Sequence, residues 1–420
     1  MTLIKTSVLS FAVTLSKLVT ALVINKLVAV YAGPSGLAVL AQFQNIIQVL
    51  SVLSQSALNN GVTKFTAEYK ESPKYLGRFF GVSATLSLIS TVLVSFCCFI
   101  FSDWLASYLL KAVELSYLFK ILSFSLILIV SNNLILSILN GLNQIKQWAL
   151  IQVSQSIFSL LFVSVLSFAL GLEGILIALV TFQALVFIVL VFFMVRSKAL
   201  FPQTEMVFWD INISKKLLAF ALIAGVSAVT APLIQVLIRE YVSSHSGLDV
   251  AGYWQAVWYL SSTFLLVVTT TLSTYFLPKF SACKETNALQ KELYSGLALF
   301  LPLSILAAVS VYFLRDWIIW ILFSDDFLVI GDFLFWQLTG DVIRVSAWFF
   351  AFLMLAKAKT KALITSEIVF SCSLVLLSIL GFDLAGIYGL TVAFAINYFL
   401  YLVYVSFYVH KYILNGRSHA

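Results

Sequence analysis

Asp341 and Arg344 stand three residues apart inside the apolar run "WQLTGDVIRVSAWFFAFLMLAKAKTK", residues 336–361. On a helix they share a face, which Gln337 and Trp348 extend. A charged side chain at mid-bilayer costs roughly 2.5–3.5 kcal/mol on insertion scales, so each must face protein, a cavity or a partner. Neighbouring opposite charges lower each other's burial cost, so the two can form a purely structural pair. Alternatively, Asp341 is exchanged between Arg344, a substrate and a coupling ion, H+ or Na+. Glu367 is the other embedded carboxylate suited to titration. Both are assigned to coupling or gating.

Cations are embedded elsewhere too. Lys17 and Lys26 lie on the first apolar run and Arg239 near the outer end of the seventh, where packing or snorkelling would also account for it. Gln44, Gln48, Ser51, Gln55 and Asn59 recur every three or four positions, one polar stripe on a helix. Such a stripe holds helices together or walls a wet cleft, and Ser10, Thr14 and Lys17 make a similar one. The acids of the first half, Glu68, Glu71, Asp103, Glu114 and Glu173, fall in loops or at span ends. A pocket for cationic drugs would want the reverse, so the expected ligand is an anion. Its expected binding residues are Lys17, Lys26, Arg239, Arg344, Gln42, Gln255, Gln48 and Asn59.

The elements that must carry these residues are transmembrane helices. The chain has 420 residues, 61% hydrophobic and 10% charged, with a mean hydropathy of +1.04. Apolar runs of about 20 residues recur throughout, each long enough for a ~30 Å hydrocarbon core. They are continuous rather than alternating, which excludes a β-barrel. Twelve spans are expected, at 6–31, 37–62, 78–102, 118–140, 149–170, 174–195, 216–239, 251–278, 293–314, 333–356, 361–381 and 385–410. The connections are short except 63–77, 103–117, 196–215 and 315–332. The start is not a cleavable signal, because its apolar run is too long and no small-residue cleavage site follows. With the N-terminus in the cytoplasm, inside segments collect 18 Lys and Arg against four outside. Both termini are therefore expected inside. The net charge of +7 is topological and not a nucleic-acid patch. Cys97, Cys98, Cys283 and Cys372 read as small core residues.

The two halves resemble each other at an offset of about 213 residues. "FSDWL" (101–105) returns as "LRDWI" (314–318), "IKQWALI" (145–151) as "AKTKALI" (358–364), and "KFTA" (64–67) as "KFSA" (279–282). Gly174-Ile175 recurs as Gly386-Ile387, Lys26 as Arg239, and Gln42 as Gln255. Six spans per repeat insert both halves in the same orientation. The expected domains are an N-terminal lobe 1–195, a linker 196–215 and a C-terminal lobe 216–420. Such lobes imply an intervening cleft whose exposure alternates, hence a transporter with no catalytic residues. A duplicated scaffold or enzyme is the alternative.

Other classes fare worse. No G-x-x-x-x-G-K phosphate loop is present, so ATP hydrolysis is not expected. His245, His410 and His419 are scattered and suggest no metal. A membrane glycosyltransferase needs a large outer loop with catalytic acids or arginines, and "SDDF" (324–327) is the sole acidic cluster.

Lys5, Lys17 and Lys26, with "GPSGLA" (33–38), "NNGVTKFTAEY" (59–69), "WQAV" (254–257), "YFLPKFS" (275–281) and "WQLTGDVIRVSAWFFAFLMLAKA" (336–358), resemble the Wzx polysaccharide flippases, most of all members serving enterobacterial common antigen synthesis. The resemblance runs from residue 1 to about 370. It implies an all-α polytopic fold of the multidrug/oligosaccharidyl-lipid/polysaccharide exporter kind, with two six-helix lobes around a V-shaped cleft. It also implies an undecaprenyl-diphosphate-linked oligosaccharide turned from the cytoplasmic to the periplasmic leaflet of the bacterial inner membrane, without cofactor. The polymerase and chain-length regulator of the same pathway would be partners. Lys17, Lys26, Asp341 and Arg344 match embedded charged positions of that pattern, although position 344 is often lysine there. Flippases for O-antigen, capsule or peptidoglycan precursors stay open as alternatives. A drug/cation antiporter of the same fold does too, but would want an embedded carboxylate in the first half.

Overall fold

A computed structural model describes residues 3–55, 58–197, 207–283 and 285–414. All regular structure among them is helical: α1 (Leu3–Ser54), α2 (Asn59–Glu68), α3 (Pro73–Ile100), α4 (Ser102–Leu105), α5 (Ser116–Gly141), α6 (Ile145–Ser197), α7 (Ile211–Thr271), α8 (Leu277–Ala282), α9 (Thr286–Phe313), α10 (Arg315–Leu322), α11 (Leu334–Ala356) and α12 (Thr360–Val409). Seven stretches of the described residues are long and apolar enough to cross a bilayer. Large side chains such as Leu384, Phe313 and Phe168 are left exposed, as expected where the solvent is hydrocarbon. The protein is an integral membrane protein.

A straight helix of the 61 residues in α7 would be roughly 90 Å long, about three bilayer cores. The chain instead breaks at Gly247 (φ 88°, ψ 169°), as α1 does at Gly33 (φ 62°, ψ −160°), in a region of backbone space that a Cβ forbids. α6 and α12 break at Gly171 and Gly386. α7 folds back so that Arg239 and Gln255, on either side of Gly247, are hydrogen-bonded. In α12 the Gly381 carbonyl packs onto Gly389.

These breaks carry the internal repeat. α3 and α9 start 213 residues apart, at Pro73 and Thr286, and end 213 apart, at Ile100 and Phe313. Left-handed Asn143 (φ 61°) and Ala358 (φ 52°) make equivalent turns, at the same 215-residue offset that relates Gly171 to Gly386. Gly171 and Gly386 both sit at φ 58°. The conformational counterpart of Gly386 is thus Gly171, not the Gly174 suggested by letter matching. Gly174 is small for another reason: a Cβ there would lie 2.0 Å from the Leu166 carbonyl oxygen.

By contacts the chain divides into two compact units, Met1–Ala32 with Val39–Val236, and Gly33–Ala38 with Leu237–Ala420. The division runs through α7. In the first unit Phe79, Val62, Leu76 and Leu217 pack together, with Phe65 and Tyr69 against them. In the second, Phe276, Phe280, Phe349 and Leu353 form the core, and Gly296 admits the Phe276 and Phe349 rings that a Cβ would meet at 2.7 Å.

Several boundaries differ from those expected. The first helix, which takes in the second span, stops at Ser54, and Asn59 begins the separate helix α2; residues 56–57 lie outside the described residues. The eighth span passes through a π-helical turn, Leu272–Phe276, before Pro278 restarts a short helix. The long connections 103–117 and 315–332 are not loops: they hold α4, α10 and 3-10 and π turns. Of the segment 196–215, residues 198–206 lie outside the described residues. Only Cys98 is a core residue; Cys97 and Cys372 are exposed and Cys283 is intermediate, which apolar thiols tolerate against lipid.

Candidate functional site

Gln337, Asp341, Arg344 and Trp348 do share one face of α11, but Asp341 and Arg344 are not an ion pair among the described residues. Asp341 is 0% exposed and accepts a 2.6 Å hydrogen bond from the Ser261 hydroxyl, which itself accepts one from Gln337 Nε2 at 3.1 Å. The other carboxyl oxygen, Oδ2, has no hydrogen-bond partner among the described residues. Arg344 turns instead into aromatic rings. Its guanidinium carbon lies 4.5 Å from the Trp348 centroid, 4.7 Å from Tyr398, 5.7 Å from Trp258 and 5.8 Å from Phe394. Each such contact is worth about 0.5–2 kcal/mol, so the rings do much of the work expected of the carboxylate. Gly340 makes room for Phe394, whose ring a Cβ would meet at 2.5 Å.

A consequence can be measured. Ser261→Ala would leave both oxygens of a buried carboxyl group without a hydrogen bond, which costs about 1–3 kcal/mol. The variant is expected to unfold several degrees lower in detergent. An unchanged thermal midpoint would contradict the assignment.

Arg239 is 2% exposed, donates to Gln255 Oε1 and lies 5.9 Å from the Trp254 centroid. The repeat therefore marks two residues, Arg239 and Gln255, that meet in the fold. Their counterparts differ: Lys26 is half-buried on α1, and buried Gln42 donates at 3.4 Å to the Val236 carbonyl. Lys17 is on an exposed face of α1, one residue from Ser16, whose hydroxyl meets Ser156 at 3.3 Å. Glu367 is half-buried on α12. Outside the spans, Lys279 is pushed up to about 12 by its hydrogen bond to Glu292, 2.7 Å away, with help from Tyr275.

The amide stripe borders a cavity. Gln44, Gln48, Ser51, Gln55 and Asn59 line a hollow of about 390 Å³ in the first unit, joined there by Asn133 and Gln183. The break after α1 does not remove Asn59 from the stripe's company. Asn133, Gln183, Ser261 and Tyr398 went unnoticed in the sequence. The adjacent "SNN" at 131–133, inside an apolar run, was the available signal for the first; single hydroxyls among dozens carry none. No group of three or more His, Cys, Asp or Glu among the described residues is placed to hold a metal.

Comparisons with known proteins bear on the chain as a whole. A family model described as polysaccharide biosynthesis protein matches residues 3–284. The chain is 31% identical over 368 residues to the lipid III flippase of Escherichia coli K12, and equally to that of Shigella flexneri, covering 88% of this chain and 88% of each relative. Among solved structures, an inward-facing multidrug transporter of the MATE family and MOP superfamily matches with a TM-score of 0.79 at 13% identity, over 95% of this chain and 96% of that one. The lipid II flippase MurJ in an inward closed conformation matches with a TM-score of 0.76 at 20% identity, over 96% and 87%. At such identities the likeness is one of fold.

Proposed function

The chain belongs to the polysaccharide biosynthesis protein family, and we infer that it is a flippase for an undecaprenyl-diphosphate-linked oligosaccharide, lipid III of enterobacterial common antigen, moving it from the cytoplasmic to the periplasmic leaflet. The observation that carries this reading is the 31% identity to two lipid III flippases across 88% of both chains. The protein resides in the bacterial inner membrane with both termini in the cytoplasm.

Helices α1, α6, α7 and α12 each cross twice, reversing at their glycines, while α3, α5, α9 and α11 cross once. The result is twelve spans in two six-helix lobes, 1–195 and 216–420, joined by 196–215. Parallel repeats of this kind rock to expose a substrate alternately to either side. Lys17, Lys26, Arg239 and Arg344 meet the diphosphate, assisted by Gln42 and Gln255, while Gln48 and Asn59 meet sugar hydroxyls. Burying a diphosphate without cations would forfeit its hydration uncompensated. Asp341 and Glu367 serve coupling to H+ or Na+, and ATP is not used. The polyprenyl tail stays in the lipid, and the product passes to the polymerase and chain-length regulator of its pathway.

The test is complementation of strains that each lack a different lipid-linked glycan flippase. Rescue of enterobacterial common antigen alone is the expected result. Rescue of O-antigen or capsule alone would move the substrate assignment, and rescue of none by membrane-inserted protein would end it. Asp341→Asn is expected to reduce rescue and change its dependence on the ion gradient, because an amide cannot titrate. Unchanged ion dependence would leave Asp341 a structural acceptor for Ser261.

A further inference from the structure

Beside the hollow of the amide stripe lies a second one, of about 210 Å³, in the same unit. Asn59 and Asn133 line both, so the two adjoin. The second adds Asn60, Asn140, Gln152 and the indole of Trp148. Among the described residues, no lysine, arginine, aspartate or glutamate lines either hollow. The walls are held in place from behind: Gln155 of α6 donates to Asn132 of α5 at 2.9 Å, both side chains buried, which fixes the backbone that carries Asn133. Thr63 likewise donates to the Ser137 carbonyl at 3.2 Å, tying α2 to α5.

An uncharged trough of this kind cannot take a diphosphate, because nothing in it offsets the charge. Its chemistry suits a polyol. Each amide offers two donors and two acceptor lone pairs, matching hydroxyl or acetamido groups that both give and receive hydrogen bonds. The Trp148 ring, beside amides in the second hollow, offers the apolar C–H face of a pyranose a surface that a water-filled funnel would lack. The first hollow already falls within the size of ordinary small-molecule sites, roughly 300–1,000 Å³, and the second extends it.

We propose that this trough is a glycan subsite, separate from the cations, in which Trp148 stacks against an uncharged sugar ring while Asn133 and its neighbouring amides hold the hydroxyls. This rests on the reading of the chain as a lipid-linked glycan flippase, and it divides the headgroup: sugar at the amides, diphosphate at the cations.

The test uses the purified full chain in lipid nanodiscs and two probes, a bare polyprenyl diphosphate and the same lipid carrying one uncharged N-acetylhexosamine. Trp148→Ala and Asn133→Ala are expected to weaken binding of the sugar-bearing lipid about tenfold or more, while bare-lipid binding stays unchanged. Trp148→Phe, which keeps a ring, should retain most of the affinity. Equal weakening of both probes would show that the trough supports the fold or the diphosphate and would overturn the proposal. So would sugar-lipid binding that neither alanine variant lowers. If the unsubstituted protein binds neither probe, the flippase reading fails and takes the subsite with it. Binding of both probes by the unsubstituted protein, without discrimination by the variants, defeats the subsite alone.

Discussion

Arg344→Ala is expected to lower flipping of the lipid-linked glycan by about 10- to 100-fold, the equivalent of one or two hydrogen bonds to a charged group. Four rings surround the guanidinium, and no hydrogen bond or ion pair among the described residues reaches it. Its Nε is buried without a hydrogen-bond partner among the described residues. A cation held by stacking keeps its N–H edge unspent, and an anion is what that edge fits. Arg344→Lys should fall between, since it keeps the charge but loses the planar fork. Arg344→Met separates function from packing, because it keeps an apolar stem among the rings. If Arg344→Met flips at the normal rate, the guanidinium is only filling space between aromatics. Reconstituted transport per mole of folded protein is the measurement.

Gly252→Ala is expected to be among the most damaging single methyls. The Cβ would sit 1.9 Å from the Pro34 carbonyl oxygen, a backbone atom that cannot swing aside like a side-chain tip. Ser35 N–H donates to Asp249 at 3.2 Å in the same place, so the equivalent breaks at Gly33 and Gly247 meet there. Overpacking of this kind costs about 1–3 kcal/mol, occasionally more. A lowered unfolding midpoint and a lower yield of monodisperse protein are the expected results, and alanine at Gly331, where an added Cβ would approach only side-chain atoms, the nearest 3.2 Å away on Arg315, serves as the reference. Wild-type stability in Gly252→Ala would mean that the two turns do not meet as described.

Helix positions and the repeat were legible because hydrocarbon imposes a coarse rule, about 20 apolar residues per crossing. The finer repeat was not. Gly171 and Gly386 correspond by backbone dihedral, which letters reveal only as another glycine nearby. Asp341 and Arg344 were legible as an anomaly but not as an arrangement. Coulomb's law suggests that they pair, yet Ser261 and four aromatic rings from α7, α11 and α12 take them separately. None of those partners is unusual in a chain that is 15% aromatic. The amide stripe was readable by its period, and its partner Asn133 was not, because a single amide on another helix has no period.

The most direct test is transport itself: purified protein in sealed liposomes, with lipid III loaded in one leaflet and its glycan read by a membrane-impermeant reagent on the other side. The account predicts protein-dependent transfer that Arg344→Ala suppresses and that needs no ATP. Properly folded, membrane-inserted protein that leaves every lipid-linked glycan in its starting leaflet, with or without an ion gradient, would contradict it.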